Sequence, residues 1–179
     1  MTRSMPFAFA AALLSLAACS TAPRPMAVAV PVAPPPLSDT DQAFINAAAA
    51  SDAGEMQSSQ LAEAKARNPR IKAFAAKMVA DHTESTQKLT TIAQAKGVTV
   101  NAAPTEMAQK METKLEAAKP GMFDREYVTG QVASHRAAAS ALQSEIDNGQ
   151  DADLKAFAAA TLPIVKQHLA MAERLSGRG

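Results

Sequence analysis

From residue 38 onward, apolar positions recur three and four residues apart in long stretches, and each stretch ends in strong helix punctuation. The first runs from the Ser38/Asp39 cap to about Arg67, with Phe44, Ala48, Asp52, Glu55, Ser59 and Ala62 on one face. Asn68-Pro69, an N-cap followed by a first-turn proline, opens a second stretch to Lys96, with Gly97 as its stop. Its stripe is Ile71, Phe74, Ala75, Met78, His82, Ser85, Leu89 and Ile92. A loop at Val98–Pro104 precedes a shorter helix, Thr105 to Lys119, which Pro120-Gly121 ends. The third long helix spans Met122 to Asn148 and aligns Asp124, Tyr127, Val128, Gln131, His135, Ala138, Leu142 and Ile146. The fourth spans Ala152 to Leu175 and aligns Leu154, Phe157, Ala158, Val165, His168, Leu169, Ala172 and Leu175, with Pro163 expected to kink it.

The pattern predicts an all-α fold. Two hairpins with short turns flank a connection of about 24 residues that carries the short helix. One long crossover between two hairpins is the connectivity of a ferritin-like four-helix bundle. The pentapeptide Lys-Ala-Phe-Ala-Ala, at 72–76 and 155–159, hints at related hairpins.

Composition sharpens this picture. Of the 179 residues 42 are Ala, Trp is absent and there is one Tyr, so the core is thin and closely packed rather than a sandwich or barrel. Residues 38–179 carry 16 basic and 17 acidic side chains, which excludes a polyanion groove and hence nucleic acid as the default partner.

The N-terminus has a different character. Arg3 precedes a twelve-residue apolar run, Phe7–Ala18, too short to span a bilayer but suited to a signal sequence. It ends in Leu16-Ala17-Ala18-Cys19, which looks like a lipobox; residues 1–18 are then a cleaved signal and Cys19 is lipidated. Cys19 is the only Cys, so no internal disulfide forms. Ser20 favours sorting to an outer membrane, with the domain facing the periplasm. Residues 20–37 hold six of the 11 prolines and read, with Cys19, as a stiff extended spacer ahead of the domain at 38–179.

The candidate chemistry lies on the apolar faces. The three His, His82, His135 and His168, sit one each on the last three long stripes, and Glu55 sits on the first. Glu55 lies 13 residues before Asn68 and His82 14 after it, so they are level. His135 lies 14 residues before Gly149 and His168 19 after it, an offset of about 7 Å. Glu55, His82, His135 and His168 are therefore candidate ligands for a single zinc, copper or iron ion. Asp81, Tyr127, Gln131 and Asp124, with Asp52, are candidates to orient them from behind. The competing expectation is a buried polar network of the same side chains in a structural or interaction module. A di-iron site is excluded because Val79, Val132 and Val165 stand where Glu-x-x-His needs Glu. No phosphate loop, nucleophile elbow or catalytic Cys motif is present, so nothing here marks an enzyme.

Several segments together resemble the bacterial envelope proteins of domain of unknown function 4142 over about residues 41–175. They are Ala-Gly-Glu55-Met56, Phe74-Ala-x-x-Met78-Val-x-Asp81-His82-Thr83, Phe123-Asp124-x-x-Tyr127 with His135 eight residues on, Thr161-Leu162-Pro163 and His168-Leu169. The resemblance implies a ferritin-like fold and an exported location, and no activity.

Overall fold

Cap chemistry sets the helix limits. A computed structural model describes residues 36–177. Helix α1 (Asp39–Lys65) starts where the Ser38 hydroxyl accepts from the Asp41 amide, and α2 (Pro69–Ala95) where the Asn68 side chain accepts from the Arg70 amide. Helix α3 (Glu106–Ala117) is capped by Thr105. Helix α4 (Phe123–Asn148) follows Met122, which makes no side-chain cap, and α5 (Ala152–Leu175) starts at Asp151, which accepts from the amides of Asp153 and Leu154. Gly97 stops α2 in the left-handed region, at φ 74°. The signal sequence, Cys19 and most of the spacer lie outside the described residues. No helix among those described is long and apolar enough to cross a membrane.

The fold is an all-α, ferritin-like bundle. α1 packs on α2 and α4 on α5, and the two hairpins meet through α1–α4 and α2–α5. Polar ties fix the directions. Asp124 at the start of α4 accepts from the amides of Arg67 and Asn68, while Asp41 at the start of α1 accepts from those of Gln150 and Asp151. Lys96, just past the end of α2, pairs with Asp151 and Asp153 at the start of α5. Each of the four long helices is therefore antiparallel to its neighbours in the bundle, and the 96–122 crossover returns the chain to the end where α4 begins.

α3 travels back along the outside of α1 and α4. Gly54 makes this approach fit, because a Cβ there would come within 2.7 Å of the Ala108 Cβ. Gly54→Ala should thus lower stability by about 1–2 kcal/mol in chemical denaturation, although in an open helix the same change is favourable. An unchanged or raised midpoint would show that α3 does not dock here.

Two apolar clusters fill the bundle. One joins Ile71, Phe74, Met78, Leu115, Phe123, Tyr127 and Val128 near the α1–α2 turn. The other joins Phe44, Ile45, Leu89, Leu142, Leu154, Phe157 and Val165 towards the α4–α5 turn. Between them lies a polar layer: Asp52, Glu55, His82, Gln131, His135 and His168 are all buried. Such a layer stabilises the fold only if its polar atoms find partners.

Candidate metal centre

The three imidazoles meet in the middle of the bundle. Their ring centroids form a near-equilateral triangle with sides of 5.7 Å (His82–His135), 5.7 Å (His82–His168) and 5.4 Å (His135–His168). One nitrogen from each ring joins a group whose members lie within 4.8 Å of one another. Tetrahedral coordination places nitrogens about 3.3 Å apart, a contraction that small side-chain rotations can supply.

Each ring is held from behind by a different acceptor. His82 Nδ1 donates to Asp52 Oδ1 at 2.8 Å, and Asp52 Oδ2 accepts from the Thr86 hydroxyl at 3.2 Å. His135 Nδ1 donates to the Gln131 carbonyl, one turn earlier on α4, at 2.9 Å. His168 Nε2 donates to Asp81 Oδ2 at 2.7 Å, and Lys77 pairs with the same oxygen. These bonds leave His82 Nε2, His135 Nε2 and His168 Nδ1 buried with no hydrogen-bond partner. In a neutral imidazole with one nitrogen protonated, the other carries a bare lone pair. When all three rings are neutral, three lone pairs gather in one buried layer, where they repel one another in the absence of a cation. A ring nitrogen inward and an anchoring acceptor outward is the arrangement of metal-bound histidine.

The electrostatics suit the same role. Burial brings the His168 pKa down to about 4 despite the opposing bond to Asp81, with His135 and His82 lowering it further. Burial also holds His135 below the usual histidine value, against the raising influence of Glu55. Burial pulls on His82 as well, but the bond and charge of Asp52, with Glu55 and Asp81, outweigh it and its pKa is raised. The lowered values favour neutral His135 and His168 rings without a metal, whereas the surroundings of His82 favour its protonated form, which an ion would have to displace.

The other sequence candidates fall in different places. Glu55 is buried and keeps Oε2 without a partner, but it is not in the cluster formed by the three rings, so α1 supplies no fourth member. Asp81 backs His168. Gln131 supports His135 through its backbone carbonyl, while its side chain donates to the Ser58 hydroxyl. Tyr127 backs no ring: its hydroxyl bonds Ser59 at 2.8 Å and burial raises its pKa. Asp124 is a correction. It shares a stripe with His135, but its position at the start of α4 puts it beside the α1–α2 turn, whose amides it caps. Thr86 and Lys77, which brace Asp52 and Asp81, carry no sequence signal of their own.

The sequence pattern of the family described as Domain of unknown function (DUF4142) matches residues 27–175. The chain belongs to the DUF4142 family. No curated protein matches it. Among solved structures, this DUF4142 chain is similar to a DUF305 fragment from Deinococcus radiodurans, with a TM-score of 0.71 at 12% identity, covering 81% of this chain and 100% of that one. It is also similar to a conserved hypothetical protein from Mycobacterium tuberculosis, with a TM-score of 0.60 at 17% identity, covering 78% and 92%. These likenesses carry the fold of the DUF4142 domain and nothing about its chemistry.

Proposed function

We propose that this DUF4142 domain binds one transition-metal ion, of the zinc, copper or iron kind, through His82 Nε2, His135 Nε2 and His168 Nδ1. The observation that carries this is the trio of buried, unpartnered ring nitrogens, each opposite an anchored one. Imidazole suits all three metals. Glu55 and Asp52 would offset the charge of the ion. The competing role, a purely structural polar network, needs these nitrogens bonded to each other or to Glu55, and none of the three is.

The domain would act in the cell envelope, held to the membrane by lipid on Cys19 and extended on the proline-rich spacer. Support for this is the lipobox-like Leu16-Ala17-Ala18-Cys19 and the composition of residues 20–37. Metal handling or stress tolerance, rather than catalysis, is the role that fits a chain without a catalytic motif.

Elemental analysis of protein purified without chelator tests the assignment. About one equivalent of one metal is expected, with none in His82→Ala or His135→Ala. Asp52→Ala should retain binding but weaken it roughly 10- to 100-fold, because the ring it orients is released. Wild-type protein that neither carries nor takes up zinc, copper or iron would overturn the proposal.

A further inference from the structure

Beside the histidine layer a cavity of about 350 Å³ separates α1 from α4 beneath α3. Cores of this size normally pack without such space. Here small side chains keep it open: Ala47, Ala48, Ala137, Ala138 and Ala141 line the α1 and α4 walls. Ala47, Ala137 and Ala141 are exposed, so solvent reaches the mouth. Phe44, Phe157, Leu142 and Val165 make an apolar wall at one end.

The other end is polar: His82 borders it, and beside that ring two oxygen acceptors lack donors. Glu55 and Gln131 line this cavity, are 5% and 3% exposed, and keep Glu55 Oε2 and Gln131 Oε1 buried without partners. Both atoms are acceptors and one belongs to a carboxylate. No Lys or Arg lines the cavity. A ligand that satisfies this wall brings hydrogen-bond donors, a positive charge and an apolar body.

We propose that the cavity is a binding site for a small amine, with its ammonium group on Glu55 Oε2 and Gln131 Oε1 and its alkyl or aryl body along the alanine-lined walls. The cavity borders the histidine layer through His82 and Asp52, but the amine contacts proposed are to Glu55 and Gln131 and do not depend on the metal assignment.

The test uses hexylamine, 1-hexanol and hexanoate as probes of the chelator-treated full chain, with binding read by calorimetry and saturation-transfer NMR. Hexylammonium should bind about tenfold tighter than 1-hexanol, the advantage of a charged over a neutral hydrogen bond, and hexanoate should not bind saturably. In the near-isosteric Glu55→Gln variant, hexylammonium should lose its advantage while 1-hexanol is unchanged. Ala138→Phe, which fills the cavity, should abolish binding of both. The Glu55→Gln comparison decides the matter if that larger change impairs folding. No saturable amine binding, hexanoate bound as tightly as the amine, or an amine preference that survives Glu55→Gln would each overturn the proposal.

Discussion

Saturating metal is expected to raise the melting temperature of the wild-type protein by about 10 °C, and to leave that of His168→Leu unchanged. The reason is linkage: a ligand that binds only the folded state at about a thousand times its Kd adds about 4 kcal/mol. For a domain of this size, each kcal/mol moves the midpoint by roughly 2–4 °C. The unfolded chain cannot compete, because His82, His135 and His168 converge only when α2, α4 and α5 pack. A second effect should have the opposite sense. Without metal, His168→Leu should cost little or even stabilise, since it removes one of three facing lone pairs from an apolar bundle. A variant more stable than wild type without metal and less stable with it would mark a layer kept for binding. Differential scanning fluorimetry with and without chelator measures both.

The second large effect lies at the far end of the bundle. Asp41 and Glu145 are buried side by side, 1% and 2% exposed. Asp41 accepts from the Ser38 hydroxyl at 2.6 Å and from the amides of Gln150 and Asp151 at 2.9 and 3.2 Å, tying the start of α1 to the α4–α5 turn. Burial works against its ionisation, but these bonds prevail and its pKa is lowered. Both oxygens of Glu145 lack a donor. Burial and then Asp41 push its pKa up to about 7, and a protonated Glu145 supplies a donor towards Asp41.

The folded state therefore holds a proton on Glu145 that the unfolded chain releases near pH 4.5. The resulting stability is fully present below that value and is lost as the pH rises through about 7, an effect on the order of 2 kcal/mol. Lowered histidine pKa values act in the opposite direction. His168 makes stability rise between about pH 4 and 6.5, so the two partly cancel in the wild type. The comparison with Glu145→Gln isolates the carboxyl contribution: the variant should gain on the wild type by about 2 kcal/mol from pH 5 to 8. Asp41→Ala should cost about 3 kcal/mol at pH 6, where the tie between α1 and the turn is intact. Urea unfolding at several pH values measures both. A constant difference between Glu145→Gln and wild type would show that the pair does not share a proton.

Much of this molecule is legible in the sequence because its signals are local. Ser38, Asn68-Pro69 and Gly97 act through backbone groups a few residues away, so they mark helix ends whatever the packing. The histidines stand out because each replaces an apolar residue on an otherwise regular stripe. Their heights are less legible. Counting rises from the turns sets His168 about 7 Å from His135, whereas packing brings their ring centroids to 5.4 Å. The rotation of α1 is the hardest to read. Half of its buried residues are Ala or Ser, with the acids Asp52 and Glu55 one turn apart, and little hydrophobic contrast separates the two. Asp52 contacts His82 and Glu55 faces the cavity, a difference set by α2 and α4 rather than by α1. Asp124 is illegible for a related reason: a stripe gives the face of a helix but not which layer of the bundle a position reaches.

In the proposed site, His82, His135 and His168 present three unpartnered ring nitrogens to one ion. A long-range ¹H–¹⁵N histidine spectrum at pH 7, recorded as zinc is added, tests it most directly. Without zinc, His135 should be protonated at Nδ1 and His168 at Nε2. With zinc, His82 Nε2, His135 Nε2 and His168 Nδ1 should shift together and stop at one equivalent. Rings that do not respond, or only one that does, would contradict a shared metal site.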